Sequence, residues 1–389
     1  MITEATITTG LEEHPISGGH SIMVNTDKFN PNIHGARGLF AMMVFWYHVV
    51  NSGLAGFEGK IYSSIDHYFF HSFNFGVELF FGISGYVIVG ALRRAPSVKS
   101  FLWDRATRIY PVLWLTLIGI TVISLLTHRW LPSLWEWALN FIAPPPFYDL
   151  HQVNPAAWSL GYELTFYALC ALAFVFRRSD YKVCQVAIYV VGAVLLCIFP
   201  RAILMPAGIM IAAGVFKRPT FAPLLSLPLV FLVGFLLLWR YLNLLNNDDI
   251  RSLTPLFLPL SDWLASLPLV LLAFVFGALA LAGIAHGRGL LSAVLRTRPL
   301  QWLGTVSYSF YLWSAVVMGF VKLGFRLSGL IPLCGHWAQL AFALASLPAT
   351  LLVSRISHLL IEVRLTKKLR RRGPQDGSHR VPITATVQG

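Results

Sequence analysis

Arg37 and His48 stand 11 positions apart in an otherwise apolar stretch, GARGLFAMMVFWYHVV, residues 35–50. On a helix that spacing is about three full turns plus ~20°, so the two side chains share one face, about 16 Å apart along the axis. A guanidinium binds phosphate through a fixed fork of N–H donors, and an imidazole titrates near neutral pH and serves as a general base. Two carboxylates lie in other apolar stretches, Glu78 in FNFGVELFFGISGYVIVG and Glu163 in NPAAWSLGYELTFYAL. A carboxylate beside an imidazole fixes its tautomer and stabilises its protonated form. Arg105 and Arg108, in FLWDRATRIYPVLW, are i and i+3 on one helix face and join Arg37 as candidates for phosphate binding. Each residue also has a plainer reading: a hydrogen-bonded interhelical histidine, acids at helix starts, arginines that anchor a membrane protein's inner face. Ionisable groups at membrane depth are expensive, and that favours function.

The elements that must position these groups are membrane helices. Hydrophobic residues make up 56% of the 389, charged residues only 12%, and mean hydropathy is +0.65. Soluble domains carry about twice that charge density. The net charge of +13 falls in short basic clusters between apolar runs, the pattern of cytoplasmic loops facing anionic lipid. Nucleic acid is not an expected partner. Ten apolar runs, at about 37–55, 74–92, 108–127, 156–176, 183–199, 201–216, 222–240, 263–285, 301–323 and 337–356, predict an all-α polytopic membrane protein of about ten spans. With the N-terminus inside, inner loops hold 19 basic residues and outer loops, Arg201 among them, hold 7. The bias gives an N-in/C-in protein of the plasma (cell inner) membrane.

That topology places His48, Glu78 and Glu163 together in the outer half of the bilayer and the arginines at the inner side. Residues 1–34 read as a polar tail without a signal-peptide core, 35–360 as the membrane domain, and 361–389 as a basic, then disordered, cytoplasmic tail. The outer segment at about 128–155, with three tryptophans and the run Pro144–Pro146, reads as an amphipathic surface piece, and that at about 241–262, with Asn246–Asp249, as a polar loop. Cys170, Cys184, Cys197 and Cys334 imply neither a disulfide framework nor a metal site. An anion site inside and an acid–base site further out suit an enzyme that takes an activated group from a cytoplasmic phosphorylated donor. A proton-coupled transporter or flippase is the alternative class, although no inverted repeat is visible.

At these residues the chain resembles the acyltransferase family 3 membrane proteins, the integral-membrane O-acyltransferases of bacteria. The resemblance covers about 35–360. It rests on the Arg37-to-His48 spacing and on four motifs in order: GVELFFGISGYVI, RATRIYPVLW, WSLGYELTFY and LGTVSYSFYLWS. The sequence departs from the family pattern at Ser314, where many members carry histidine, and Glu78 replaces the commoner aspartate. The resemblance implies transfer of an acyl group, acetyl or succinyl, from acyl-CoA to a sugar hydroxyl on a surface or exported glycan or glycolipid. No permanently bound cofactor is implied. The functional positions carried over are Arg37, His48, Glu78, Arg105, Arg108 and Glu163. A lipid headgroup or macrolide sugar is an alternative acceptor.

Overall fold

A computed structural model describes residues 29–54, 65–128, 131–143, 152–177, 181–245, 260–371 and 373. Among the described residues the chain is helical and has no strand. The elements are α1 (Pro31–Val50), α2 (Ile65–Ser72), α3 (Gly76–Arg94), α4 (Val98–Leu126), α5 (Leu134–Ile142), α6 (Trp158–Val175), α7 (Lys182–Ile198) and α8 (Leu204–Ala212). They continue with α9 (Pro228–Leu245), α10 (Leu260–Ala285), α11 (Gly289–Leu295), α12 (Arg298–Leu327), α13 (Leu330–Cys334), α14 (Ala338–Ser357) and α15 (Thr366–Arg371).

Each of the ten apolar runs falls on one of these helices. Seven helical stretches among the described residues are long and apolar enough to cross a membrane. The α7–α8 pair, bent by 114° at Phe199-Pro200, makes an eighth. α1 falls outside that set although its 20 residues match a bilayer core in length. The reason is its polar content, which includes His34, Arg37 and His48. The fifth and sixth runs form this single bent unit, and Arg201 sits at its elbow, buried to 3% exposure instead of facing an outer loop.

Local signals fix the helix starts. Asn30 caps α1, its side chain accepting from Asn32 N at 3.0 Å and Ile33 N at 3.2 Å, with Pro31 in the first turn. Ser97 caps α4 by accepting from Ser100 N at 3.1 Å. Ser133 and Glu136 form a capping box at α5. That helix leaves Leu134 and Trp135 exposed, matching the amphipathic piece expected there. Pro144–Pro146 and Asn246–Asp249 lie outside the described residues.

Two close helix crossings position the polar residues. α1 packs against α12, where Gly38 faces the Leu300 carbonyl and Gly304 faces the His34 carbonyl, leaving no room for a Cβ at either. α3 crosses α8 at Gly85 and Gly208, each against the other helix's backbone. Small residues let membrane helices approach this closely, since lipid gives no hydrophobic drive to hold them together. The first crossing sets the axial position of Arg37, one residue before Gly38; the second sets that of Ser84, one residue before Gly85.

The last helix differs from expectation. It does not give way to a tail at residue 361, but runs on through a π-helical stretch, His358–Leu365, into α15. Thr366 is buried there and donates to the Thr107 carbonyl of α4 at 3.1 Å. Residues 374–389 lie outside the described residues.

Candidate active site

α1, α3, α4, α6 and α12 enclose a cavity of about 90 Å³. Arg37 enters it from α1, Ser84 from α3, Arg105 and Arg108 from α4, and Glu163 and Tyr167 from α6. α12 adds Ser307, Tyr308 and Tyr311.

Glu163 accepts a hydrogen bond from Ser84 Oγ at 2.9 Å and another from the Tyr167 hydroxyl. Tyr167 lies one helical turn after Glu163, so the pair comes from the i, i+4 spacing of a single helix. Tyr308 donates to the Ile109 carbonyl at 2.7 Å and ties α12 to α4. The Tyr311 hydroxyl lies 3.2 Å from Ser159 Oγ, tying α12 to α6. These bonds brace the walls from three sides.

The arginines differ in how far they are committed. Arg105 Nη2 donates to Asp104 Oδ2 at 2.8 Å, and Arg370 Nε meets the other oxygen of Asp104 at 2.5 Å. The Arg105 guanidinium also lies over the Phe101 and Tyr167 rings, at 5.7 and 6.0 Å. Arg37 and Arg108 form neither a hydrogen bond nor an ion pair among the described residues. Two uncommitted forks therefore face one space, with a third beside them and one carboxylate across from them. A tetrahedral oxyanion suits such a space, because guanidiniums bind it bidentately.

Glu78 is elsewhere. It is fully buried, and its Oε1 takes both Nε and Nη2 of Arg201 at 2.5 Å. The Arg201 guanidinium lies 3.9 Å over the Trp158 ring. Phe75 and Trp239 meet edge-on at 6.4 Å in the core beside the start of α3. The pair is charge-neutral and lies at the α7–α8 elbow, with Glu78 Oε2 buried and accepting no hydrogen bond among the described residues.

His48 is in the last turn of α1, half-buried, its ring edge-on to Tyr47 at 5.3 Å. It does not line the cavity. Among the described residues neither Glu78 nor Glu163 reaches it. The expected trio of His48, Glu78 and Glu163 is thus three separate placements. Glu163 keeps company with the arginines because α5 runs back along α4, with Trp137 bonded to Thr121 and the Ile142 carbonyl to Tyr110, so α6 starts beside the early turns of α4 that carry Arg105 and Arg108.

Some polar residues here carry no role from sequence reasoning. Tyr167 lies inside WSLGYELTFY, and Tyr308 and Tyr311 inside LGTVSYSFYLWS. Those motifs marked the segments, but tyrosines in apolar helices also serve as packing, and the cavity separates the two uses. Ser314 does not reach the cavity; its hydroxyl donates to the Tyr311 carbonyl at 2.8 Å. Glu362, expected in the tail, accepts from Ser309 Oγ at 2.5 Å and Ser309 N at 3.2 Å on α12. Only the helical continuation past 360 brings it there. No group of histidine, cysteine and carboxylate side chains among the described residues is placed to hold a metal ion.

Comparison with known proteins agrees with this architecture. A family model described as an acyltransferase domain matches residues 30–358. Peptidoglycan O-acetyltransferase OatA of Listeria monocytogenes is 25% identical over 319 residues, covering 74% of this chain and 49% of that protein. Acyltransferase MdmB of Streptomyces mycarofaciens is 25% identical over 373 residues, covering 88% of this chain and 93% of its own. Exopolysaccharide production protein ExoZ of Rhizobium meliloti is 34% identical over 113 residues, 27% of this chain and 35% of that one. The chain spans about half the length of the peptidoglycan O-acetyltransferases it matches. No solved structure matches it. The family match begins at the cap of α1 and ends in the helix that packs on α12, so it takes in every helix that lines the cavity: this chain belongs to the acyltransferase 3 family.

Proposed function

We propose that this protein is a membrane O-acyltransferase that moves an acyl group, acetyl or succinyl, from acyl-CoA to a sugar hydroxyl of a surface or exported glycan. The observation that carries the reading is the cavity in which Arg37 and Arg108 stand uncommitted beside Arg105. Arg105 is paired with Asp104, and Arg37 and Arg108 face Glu163, so two guanidiniums against one carboxylate leave a surplus of positive charge inside apolar helices. A ligand bearing several phosphate charges removes that surplus, and acyl-CoA is an activated acyl donor of that kind. The basic loops favour an N-in/C-in chain in the plasma membrane that takes its donor from the cytoplasmic side.

The chemistry follows from the spacing on α1. His48 lies about 16 Å along the helix from Arg37, a distance of the order bridged by the arm between a CoA pyrophosphate and its thioester. His48 takes the proton of the acceptor hydroxyl as that oxygen attacks the thioester carbonyl. The C–S bond breaks, and the proton passes from His48 to the departing CoA thiolate. Glu163, held by Ser84 and Tyr167, works with the arginines and not with His48. Glu78 acts through structure, holding α3 to the α7–α8 elbow. The peptidoglycan and exopolysaccharide proteins among the relatives favour a glycan acceptor over a lipid or macrolide sugar.

The test is release of free CoA thiol by the purified full chain given acetyl-CoA and an oligosaccharide acceptor. Acceptor-dependent release, lost in His48→Ala at equal protein level, is expected. Acceptor-independent release, or full release by His48→Ala, contradicts the assignment.

A further inference from the structure

A second cavity lies on the α7 side of the bundle. α7 is apolar and 17 residues long, yet none of its residues is buried. The 114° elbow at its end returns the chain to α8 against α3. Behind α7 lies a cleft of about 630 Å³, walled by α3, α6, α7 and α8. Its walls are apolar side chains such as Val89, Phe166, Leu169, Ile188 and Leu196. The polar groups along the middle are already used: Thr165 Oγ1 donates to the Gly161 carbonyl at 2.8 Å, and Gln185 Nε2 to the Tyr189 hydroxyl at 3.3 Å. Gly192, on the α7 wall, has nothing within 4 Å of where a Cβ would stand.

The two ends of the cleft differ in charge. Tyr162 and Phe199 close one end, and Arg93 and Arg177 flank the other. Arg177 sits 4.1 Å over the Phe174 ring, which holds the cation at the lip. From Tyr162 to Arg177 the cleft follows α6 for about 22 Å. One leaflet of hydrocarbon is about 15 Å deep, so the cleft accommodates a fatty chain and still reaches a headgroup. Ile88 alone lines both this cleft and the arginine cavity.

We infer that the cleft behind α7 is a binding site for one anionic phospholipid, with its acyl chain between α6 and α7 and its phosphate at Arg93 and Arg177. The basic end lies with the cytoplasmic loops, so the lipid comes from the inner leaflet. Its chain supplies the packing that α7 lacks from protein.

Native mass spectrometry of the full chain tests this, with phosphatidylglycerol and phosphatidylcholine of identical chains offered in equal amount. One phosphatidylglycerol bound per chain is expected, with a preference of about thirtyfold over phosphatidylcholine from the two cations. R93Q/R177Q should remove the preference, and G192W, which fills the cleft, should lower retention of both lipids. Equal retention of the two lipids by the parent chain, a preference that survives R93Q/R177Q, or G192W that retains lipid like the parent, each overturns the site.

Discussion

Two sets of charged residues inside this helix bundle are opposite in character. Glu78 and Arg201 form a closed pair: one carboxylate against one guanidinium, with a tryptophan face over the cation. Arg37, Arg105, Arg108 and Glu163 form an open set with an excess of cations around empty space. A neutral pair needs no counter-charge from outside and serves the fold. An unbalanced set needs something brought to it, and that need is the physical mark of a binding site. The contrast separates the two glutamates that the motifs present as equivalent.

The largest effect expected concerns neither set but the chemistry between donor and acceptor. His48→Ala should lower glycan acylation about 10²–10⁴-fold at normal membrane levels, the usual contribution of a general base. Mass spectrometry of surface polysaccharide reads it. Next is the closed pair. Glu78→Gln leaves a buried guanidinium without its counter-charge, which costs about 3–5 kcal/mol, and the purified protein should melt earlier. Removing both charges as E78L/R201M should restore most of that loss, because a neutral apolar pair of similar size is tolerated. If E78L/R201M folds normally but has no activity, the closed pair is part of the chemistry and the contrast fails.

The open set should behave in reverse. Arg108→Ala should leave the melting temperature near the parent value while acyl transfer falls about 10–10²-fold, the effect of losing hydrogen bonds to a charged ligand. A large loss of stability in Arg108→Ala would put it in the same class as Arg201. The smallest effect is expected from Ser84→Ala. It removes one hydrogen bond to Glu163 and should cost about 1 kcal/mol, read as a several-fold change in turnover.

Much of this was legible in the residues. Apolar periodicity and basic loops gave the helices, and the i, i+3 spacing of Arg105 and Arg108 put both on one face towards the same space. Arg37 joined them because glycines at 35 and 38 let α1 approach α12 closely. What stayed hidden depended on long-range packing. Topology places His48, Glu78 and Glu163 in one half of the bilayer but does not say which helix faces meet, and in the structure Glu163 lies with the arginines. Arg201 read as a loop residue because the Phe199-Pro200-Arg201 break resembles a turn between spans. In the structure it is an elbow that folds the cation inward to Glu78. Glu362 was hidden because the basic run after Arg364 suggests a tail, while Ser309 and Thr107 hold the helix onto the bundle.

The central claim is that the arginine cavity binds the donor's phosphates, and titration of acetyl-CoA into the purified full chain, parent against Arg37→Lys, tests it most directly. Lysine keeps the charge and loses the planar fork, so the account predicts a clear loss of affinity at unchanged thermal stability. Equal affinity in the two proteins would contradict it.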